Sequence, residues 1–196
     1  GLLLYTQKNR QIEPFPKSQV FSAFVSDLRL DDQNKLWIST YTNGLLVYDF
    51  GQDKLQHYMP RTDKPGQRGF ASILCTYQDN QGKIWAGTEQ GLAQFDPSAG
   101  SFRFYKHHPD NPFSPPKGSV FELYEQAQTG LWVAFEYGLA LYDSKTGRFH
   151  TFQHDPGNPR SILGDEVWSI YKDNKGALWF GSFTKGASKL DLEKAA

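Results

Sequence analysis

Four tryptophans, Trp37, Trp85, Trp132 and Trp179, follow one another at intervals of 48, 47 and 47 residues. The text around them repeats: DDQNKLWISTYTNGLLVYD, DNQGKIWAGTEQGLAQFD, AQTGLWVAFEYGLALYD and DNKGALWFGSFTKGASKLD. A glycine stands six or seven residues after each tryptophan, at Gly44, Gly91, Gly138 and Gly186, and an aspartate eleven or twelve after, at Asp49, Asp96, Asp143 and Asp191. Self-similarity at this period means that one supersecondary unit is repeated along the chain. The fifth tryptophan, Trp168, is out of register with the other four.

Each unit reads as four short strands. The first is an apolar run such as SVFELYE (119–125) or EVWSIYK (166–172). A turn such as DNQGK or DNKGA follows, and its Asn and Gly tolerate the positive φ that a tight hairpin needs. The second strand carries the tryptophan and the third begins at the glycine, as in GLLVYD or GLALYD. A further turn leads to the fourth: KLQHYM (54–59), SFRFYK (101–106) or RFHTFQ (148–153). No segment sustains a 3.6-residue period. The 15 Phe, 10 Tyr and 5 Trp, with 18 Gly and 11 Pro as punctuation, favour strands and turns over a helical bundle.

A four-stranded antiparallel unit of about 47 residues is a propeller blade. The fold class is therefore all-β, with about four blades. The blades are bounded at 17–59, 60–106, 107–153 and 154–196, the last without its outer strand, and residues 1–16 form the end of a preceding blade. The opening run GLLLY reads as strand and not as a secretion leader, so the chain reads as a section of a longer propeller. The edge is expected to be covered by the N-terminal outer strand or by self-association. The repeated tryptophan reads as a blade-to-blade packing residue. The repeated glycine reads as a site of close approach or unusual φ, and the repeated aspartate as a turn cap.

Lys plus Arg equals Asp plus Glu, at 21 each, which argues against a nucleic-acid partner or a membrane-surface protein. No run of 18 apolar residues occurs. The single cysteine, Cys75, falls in an inner strand and reads as a small buried apolar residue. His107-His108 with Asp110, and His154 with Asp155, lack recognised ligand spacing, so neither a metal nor a cofactor is expected. No phosphate-binding glycine loop, nucleophile elbow or kinase motif occurs, and the chain is not expected to be an enzyme.

The phrases HHPDNPFSPPKGSVFELYE and QHDPGNPRSILGDEVWSIYKDNKGALWFGSFTKGASKLD resemble the two-component regulator propeller repeat. The likeness covers nearly the whole chain. It is weaker in the third unit, where EQAQTG replaces the Asp-Asn-x-Gly turn, and in the first, which lacks the Pro-rich lead-in. The resemblance implies a seven-bladed propeller in the periplasmic, extracytoplasmic half of a membrane-anchored bacterial sensor. It further implies a β-sandwich and a transmembrane helix beyond the propeller, and a histidine kinase or diguanylate cyclase as output. Several members of the family sense oligosaccharides, so a carbohydrate or other small solute is the ligand implied.

In a propeller the loop between strands two and three shares a face with the blade-to-blade loop. These loops diverge from unit to unit, and divergent loops on a rigid scaffold are where recognition residues sit. The short ones supply Tyr41, Asn43, Glu89, Gln90, Glu136, Tyr137, Phe183 and Lys185 as candidate ligand-binding residues. The long ones supply Arg61, Asp63, Arg68, His107, His108, Asp110, Asn111, His154, Asp155, Asn158 and Arg160. Aromatic faces suit the C–H face of a sugar, and the polar tips suit its hydroxyls. Trp168, whose equivalents by the repeat are Ser26, Leu74 and Phe121, either lines the channel mouth or packs between blades. Two alternatives to a sensor stay open on the residues alone: a structural or protein-interaction propeller, and a propeller lyase or glycosidase.

Overall fold

The computed structural model describes residues 2–8, 10–15, 24–60, 72–127 and 129–191. Every regular element among them is a strand, and paired strands run antiparallel. The contacts divide the chain into two compact units, Gly1–Leu74 and Cys75–Ala196.

In the first unit β1 (Leu3–Thr6) pairs with β2 (Gln11–Pro14) as a two-stranded sheet. A four-stranded sheet follows in the order β3 (Val25–Leu30), β4 (Lys35–Thr40), β5 (Leu45–Asp49), β6 (Lys54–Tyr58). Phe15 is buried edge-on against Tyr48, with centroids 4.9 Å apart.

The next sheet runs β7 (Ile73–Gln78), β8 (Ile84–Thr88), β9 (Gly91–Asp96), β10 (Ser101–Tyr105). The third runs β11 (Val120–Gln126), β12 (Gly130–Phe135), β13 (Gly138–Asp143), β14 (Arg148–Phe152). The fourth has three strands among the described residues: β15 (Val167–Lys172), β16 (Leu178–Ser182) and β17 (Gly186–Leu190). The strands read from sequence are therefore the strands observed, to within one residue at most ends. Burial is greatest on the second strand and falls away at the fourth: every residue of β8 is buried, whereas no residue of β10 and only Phe149 of β14 is.

Sheets of the second unit pack face to face through the repeated tryptophans. Trp85 meets Tyr142 of the next sheet at 5.2 Å and joins a core with Val120, Leu123 and Phe149. Trp132 meets Phe180 at 5.2 Å, in a core with Val167, Ile170 and Leu178. Trp85 and Trp132 are 2% and 3% exposed, while Trp179, in the last of these sheets, is 37% exposed. Cys75 is buried, with its thiol 3.8 Å from the Val120 carbonyl oxygen.

The other repeated residues also take their expected parts. Gly44, Gly91, Gly138 and Gly186 all have positive φ. At the first three an added Cβ would meet the carbonyl oxygen of Tyr58, Tyr105 or Phe152 on the fourth strand. Asp49, Asp96 and Asp143 accept backbone N–H bonds from the turn that follows.

A second aspartate does more. Asp31, Asp79 and Asp173 open the first hairpin of their repeats, six residues before the tryptophan. Asp79 Oδ1 accepts the N–H of Gln81 and Lys83, at 3.0 and 2.8 Å, and its Oδ2 accepts the indole N–H of Trp85 at 2.9 Å. Asp31 holds Trp37, and Asp173 holds Trp179, in the same way. In the third repeat, where the aspartate is replaced by Gln126, Thr129 Oγ1 accepts the indole N–H of Trp132 at 2.9 Å. The turn that departs from the repeat thus keeps the tryptophan's hydrogen bond by another side chain.

Thr129→Val removes that acceptor without changing the shape of the side chain. It is expected to cost about 1–3 kcal/mol, the penalty for a buried donor left unpaired, read as a lower denaturation midpoint. Asp79→Ala also removes the loop bonds, and its loss should exceed that of Thr129→Val.

The pH dependence has a sign fixed by the same turns. Hydrogen bonds hold three carboxyls below the usual aspartate value: Asp96 chiefly through the Ser98 hydroxyl, Asp143 through the Thr146 hydroxyl, and Asp173 through the Trp179 indole. A depressed folded-state pKa stabilises above the unfolded pKa, and that stability is lost as pH falls through the folded value. The urea midpoint is therefore expected to fall below about pH 4. Replacing all three by Asn should flatten the acid slope; an unchanged slope would mean that these turns do not carry it.

Candidate ligand-binding rim

In three of the four larger sheets the loop after the second strand folds back beside the start of the first strand. Tyr41 donates its N–H to the Phe24 carbonyl, Glu136 to Ser119 and Phe183 to Glu166, at 2.9–3.0 Å. These three sheets therefore present their divergent short loops at the edge where the first strand begins.

In the first unit Tyr41 is 47% exposed, and its carbonyl accepts the Ser72 hydroxyl at 2.7 Å. Asn43 is held locally. Its Oδ1 accepts the Thr42 hydroxyl at 2.8 Å, and its carbonyl takes His57 Nε2 at 2.6 Å.

In the second unit the candidates converge. Ser119 links two loops: its N–H donates to Glu136 Oε2 at 3.1 Å, and its hydroxyl reaches the Glu89 carbonyl at 3.4 Å. Gly118 makes room for this arrangement. It has φ +93, and a Cβ there would meet Tyr137 Cδ2 at 2.8 Å and Glu136 Cβ at 2.9 Å. The negative charge of Glu136 and a hydrogen bond to its carboxylate push the Tyr137 phenol up, and Glu166 adds to this. Tyr137 is 50% exposed. Gln90 is exposed and donates its N–H to the Thr88 hydroxyl, and Lys185 lies with its Cβ and Cγ over Gly164.

Beside this acidic patch stands an aromatic stack. Trp168 lies parallel to Phe121 at 4.5 Å and 26°, and to Phe183 at 4.6 Å and 19°. Trp168 is 46% exposed and Phe183 64%. The stack has a backbone cause. The pairing of β11 with β12 shifts between Val120 and Glu122, that of β15 with β16 between Val167 and Ser169, and that of β3 with β4 between Val25 and Asp27. The skipped residues are Phe121, Trp168 and Ser26. A bulge releases one residue from the alternation of the strand and re-aims its side chain. Val120 and Val167 stay buried while the next residue turns out. Trp168 thus packs on Phe121 of the adjacent sheet and is also open to solvent.

Phe121, Ser119 and Glu166 were not among the sequence candidates. The equivalence of Phe121 and Trp168 in the repeat was the available signal for the first. In the long loops, part of the polarity ties each loop to itself. His107 Nδ1 donates to the Pro115 carbonyl and His154 Nδ1 to that of Ile162, both at 2.9 Å. Asn111 Oδ1 accepts the N–H of Phe113, and Asn158 Oδ1 that of Arg160. Ser114 and Ser161 tie the two ends of each loop together. Much of the polarity in these loops is spent on holding the loops themselves. Arg61, Asp63 and Arg68 lie outside the described residues.

These blades are those of a β-propeller. Residues 69–90 and 161–184 match the two component regulator propeller family. Among solved structures, the extracellular domain of the putative hybrid two component system BT4673 from B. thetaiotaomicron superposes with a TM-score of 0.80 at 21% identity, over 96% of this chain and 24% of that one. PorZ, a bacterial surface component of the type-IX secretion system of Porphyromonas gingivalis, gives 0.71 at 16% identity, over 96% and 28%. The WD40 propeller of Doa1 gives 0.61 at 14%, over 87% and 52%. The chain thus spans about a quarter of the length of the sensor and PorZ structures it matches. No curated protein sequence matches it.

The two classes of tryptophan are expected to separate on truncation. Trp132→Ala opens a core cavity and should cost about 3–5 kcal/mol. Trp168→Ala, half exposed, should cost less, because it forfeits mainly the two ring stacks, at about 0.5–1.5 kcal/mol each. Equal losses in the denaturation midpoint would place Trp168 in the core.

Proposed function

We propose that this chain is a non-catalytic, ligand-binding section of the periplasmic sensor region of a membrane-anchored bacterial signal-transduction receptor, and that its ligand is an oligosaccharide. The family match and the extracellular domains of hybrid two-component systems among the structural neighbours support the sensor part. In this reading occupancy is relayed to a histidine kinase or diguanylate cyclase elsewhere in the receptor.

The observation that carries the ligand part is the solvent-open stack of Phe121, Trp168 and Phe183 beside Tyr137, Glu136 and Glu166. Flat apolar rings next to hydrogen-bond acceptors match a pyranose, which has an apolar C–H face and a hydroxyl rim. Glu136 acts here through position: its carboxylate is bonded to the Ser119 N–H, which suits an orienting acceptor.

The test is calorimetric titration of the receptor's whole ectodomain with a panel of plant, algal and host oligosaccharides. An oligosaccharide that binds the wild type should lose roughly tenfold or more in affinity on Trp168→Ala, equivalent to about 1.4 kcal/mol. Glu136→Gln with Tyr137→Phe should abolish the response. A bound saccharide indifferent to both variants would remove the rim assignment and leave the fold untouched.

A further inference from the structure

Tyr137 has a second neighbourhood. On its other side a recess of about 330 Å³ lies between the loop 107–117 and the end of β14. That volume falls in the range of small-molecule sites. The lining groups that can ionise or hydrogen-bond through long side chains are His107, His108, Lys117, Tyr137 and Gln153, joined by the Thr151 hydroxyl. Two imidazoles and an ammonium face the recess, and no carboxylate lines it.

The wall is built before any ligand arrives. Ser114 Oγ accepts the His108 N–H at 3.0 Å and lies 3.0 and 2.8 Å from the carbonyl oxygens of His108 and Asn111. The Pro115 carbonyl only accepts, so His107 Nδ1 carries the proton in their 2.9 Å bond, and Nε2 is the ring atom left for other partners. Gln153 Nε2 donates to the Tyr137 carbonyl at 3.2 Å and fixes the shared wall. A site whose polar groups are held in place loses little entropy on binding.

We infer that the recess takes the carboxylate of an acidic sugar, so that the ligand of the rim is a uronate-containing oligosaccharide. Lys117 supplies the opposite charge, and the imidazoles of His107 and His108 supply polar ring edges to the sugar. Tyr137 borders both surfaces. A chain crossing it lays a neutral ring on the Trp168 stack and a uronate in the recess. The carboxylate of Glu136, between the two, is already bonded to the Ser119 N–H. This inference rests on the saccharide reading of the rim.

The test follows His107, His108 and Tyr137 ring resonances by NMR in the ectodomain, with three probes: D-glucuronate, its neutral methyl ester, and inorganic sulfate. Glucuronate is expected to shift all three rings saturably, with the ester at least tenfold weaker. Lys117→Gln should weaken glucuronate at least fivefold while leaving Trp168-dependent binding of neutral saccharides in place. Equal binding of acid and ester, or no effect of Lys117→Gln, overturns the inference. Sulfate that matches glucuronate overturns it too, since the recess is then a bare anion site. Silent glucuronate with a saccharide response that still needs Trp168 removes the recess alone. Glucuronate shifts in a protein whose Trp168 responds to no saccharide remove the rim reading instead.

Discussion

The hydrogen bond from the indole N–H to an acceptor in the preceding turn governs the rest of the architecture. Burying an indole of roughly 200 Å² is worth about 5 kcal/mol on area alone, but an unpaired N–H would return about 1–3 kcal/mol of it. Asp79 removes that penalty with one oxygen and closes the hairpin with the other. A contact six residues long thus orients the ring that a residue of the next sheet packs against, as Tyr142 does on Trp85. Local and long-range order are set by the same carboxylate, which is the consistency between levels that lets a sequence specify one fold. The substitution of Thr129 in the third repeat keeps the bond and gives up the aspartate, so the acceptor is the constraint and not the residue type.

The bulge in the inner strand is the second constraint, and it separates scaffold from surface within a few residues. Val167 and Ile170 are buried in the sheet-to-sheet core, while Trp168 and Ser169 between them are exposed. Because the bulged residue does not take part in the alternation, packing places little demand on its identity. The repeat holds serine, phenylalanine and tryptophan at three such positions, Ser26, Phe121 and Trp168. Ser26 spends its hydroxyl on the Ile73 carbonyl at 2.6 Å, whereas the two aromatics stack. A position relieved of folding duties is free to take on recognition.

The blades were legible because their determinants are periodic: tryptophan, glycine and aspartate recur, and so do the strands around them. The aspartate before three of the tryptophans was visible as a turn residue, but its second bond was not, since a hairpin motif does not say which ring its carboxylate will meet. His107, Asn111, His154 and Asn158 were legible as candidate donors, but not that one polar atom of each is engaged by the backbone of its own loop, whose N–H and C=O groups need partners. Phe121 reaches the rim through a register shift that only the pairing reveals, and Glu166 through the bond from the Phe183 N–H to its carbonyl, which no spacing in the sequence marks.

The stack also joins separate bodies. Phe121 stands on β11 and Trp168 on β15, in adjacent sheets, and Phe183 comes from the loop after β16. Close by, the Ile170 N–H donates across the same seam to Glu122 Oε2 at 2.6 Å. In a repeat architecture each unit touches only its neighbours, so stability is a sum of unit and interface terms. A ring laid on this stack adds contacts to one interface term and to no unit term. Ligand binding there would tighten the seam between two blades while leaving each blade as it was.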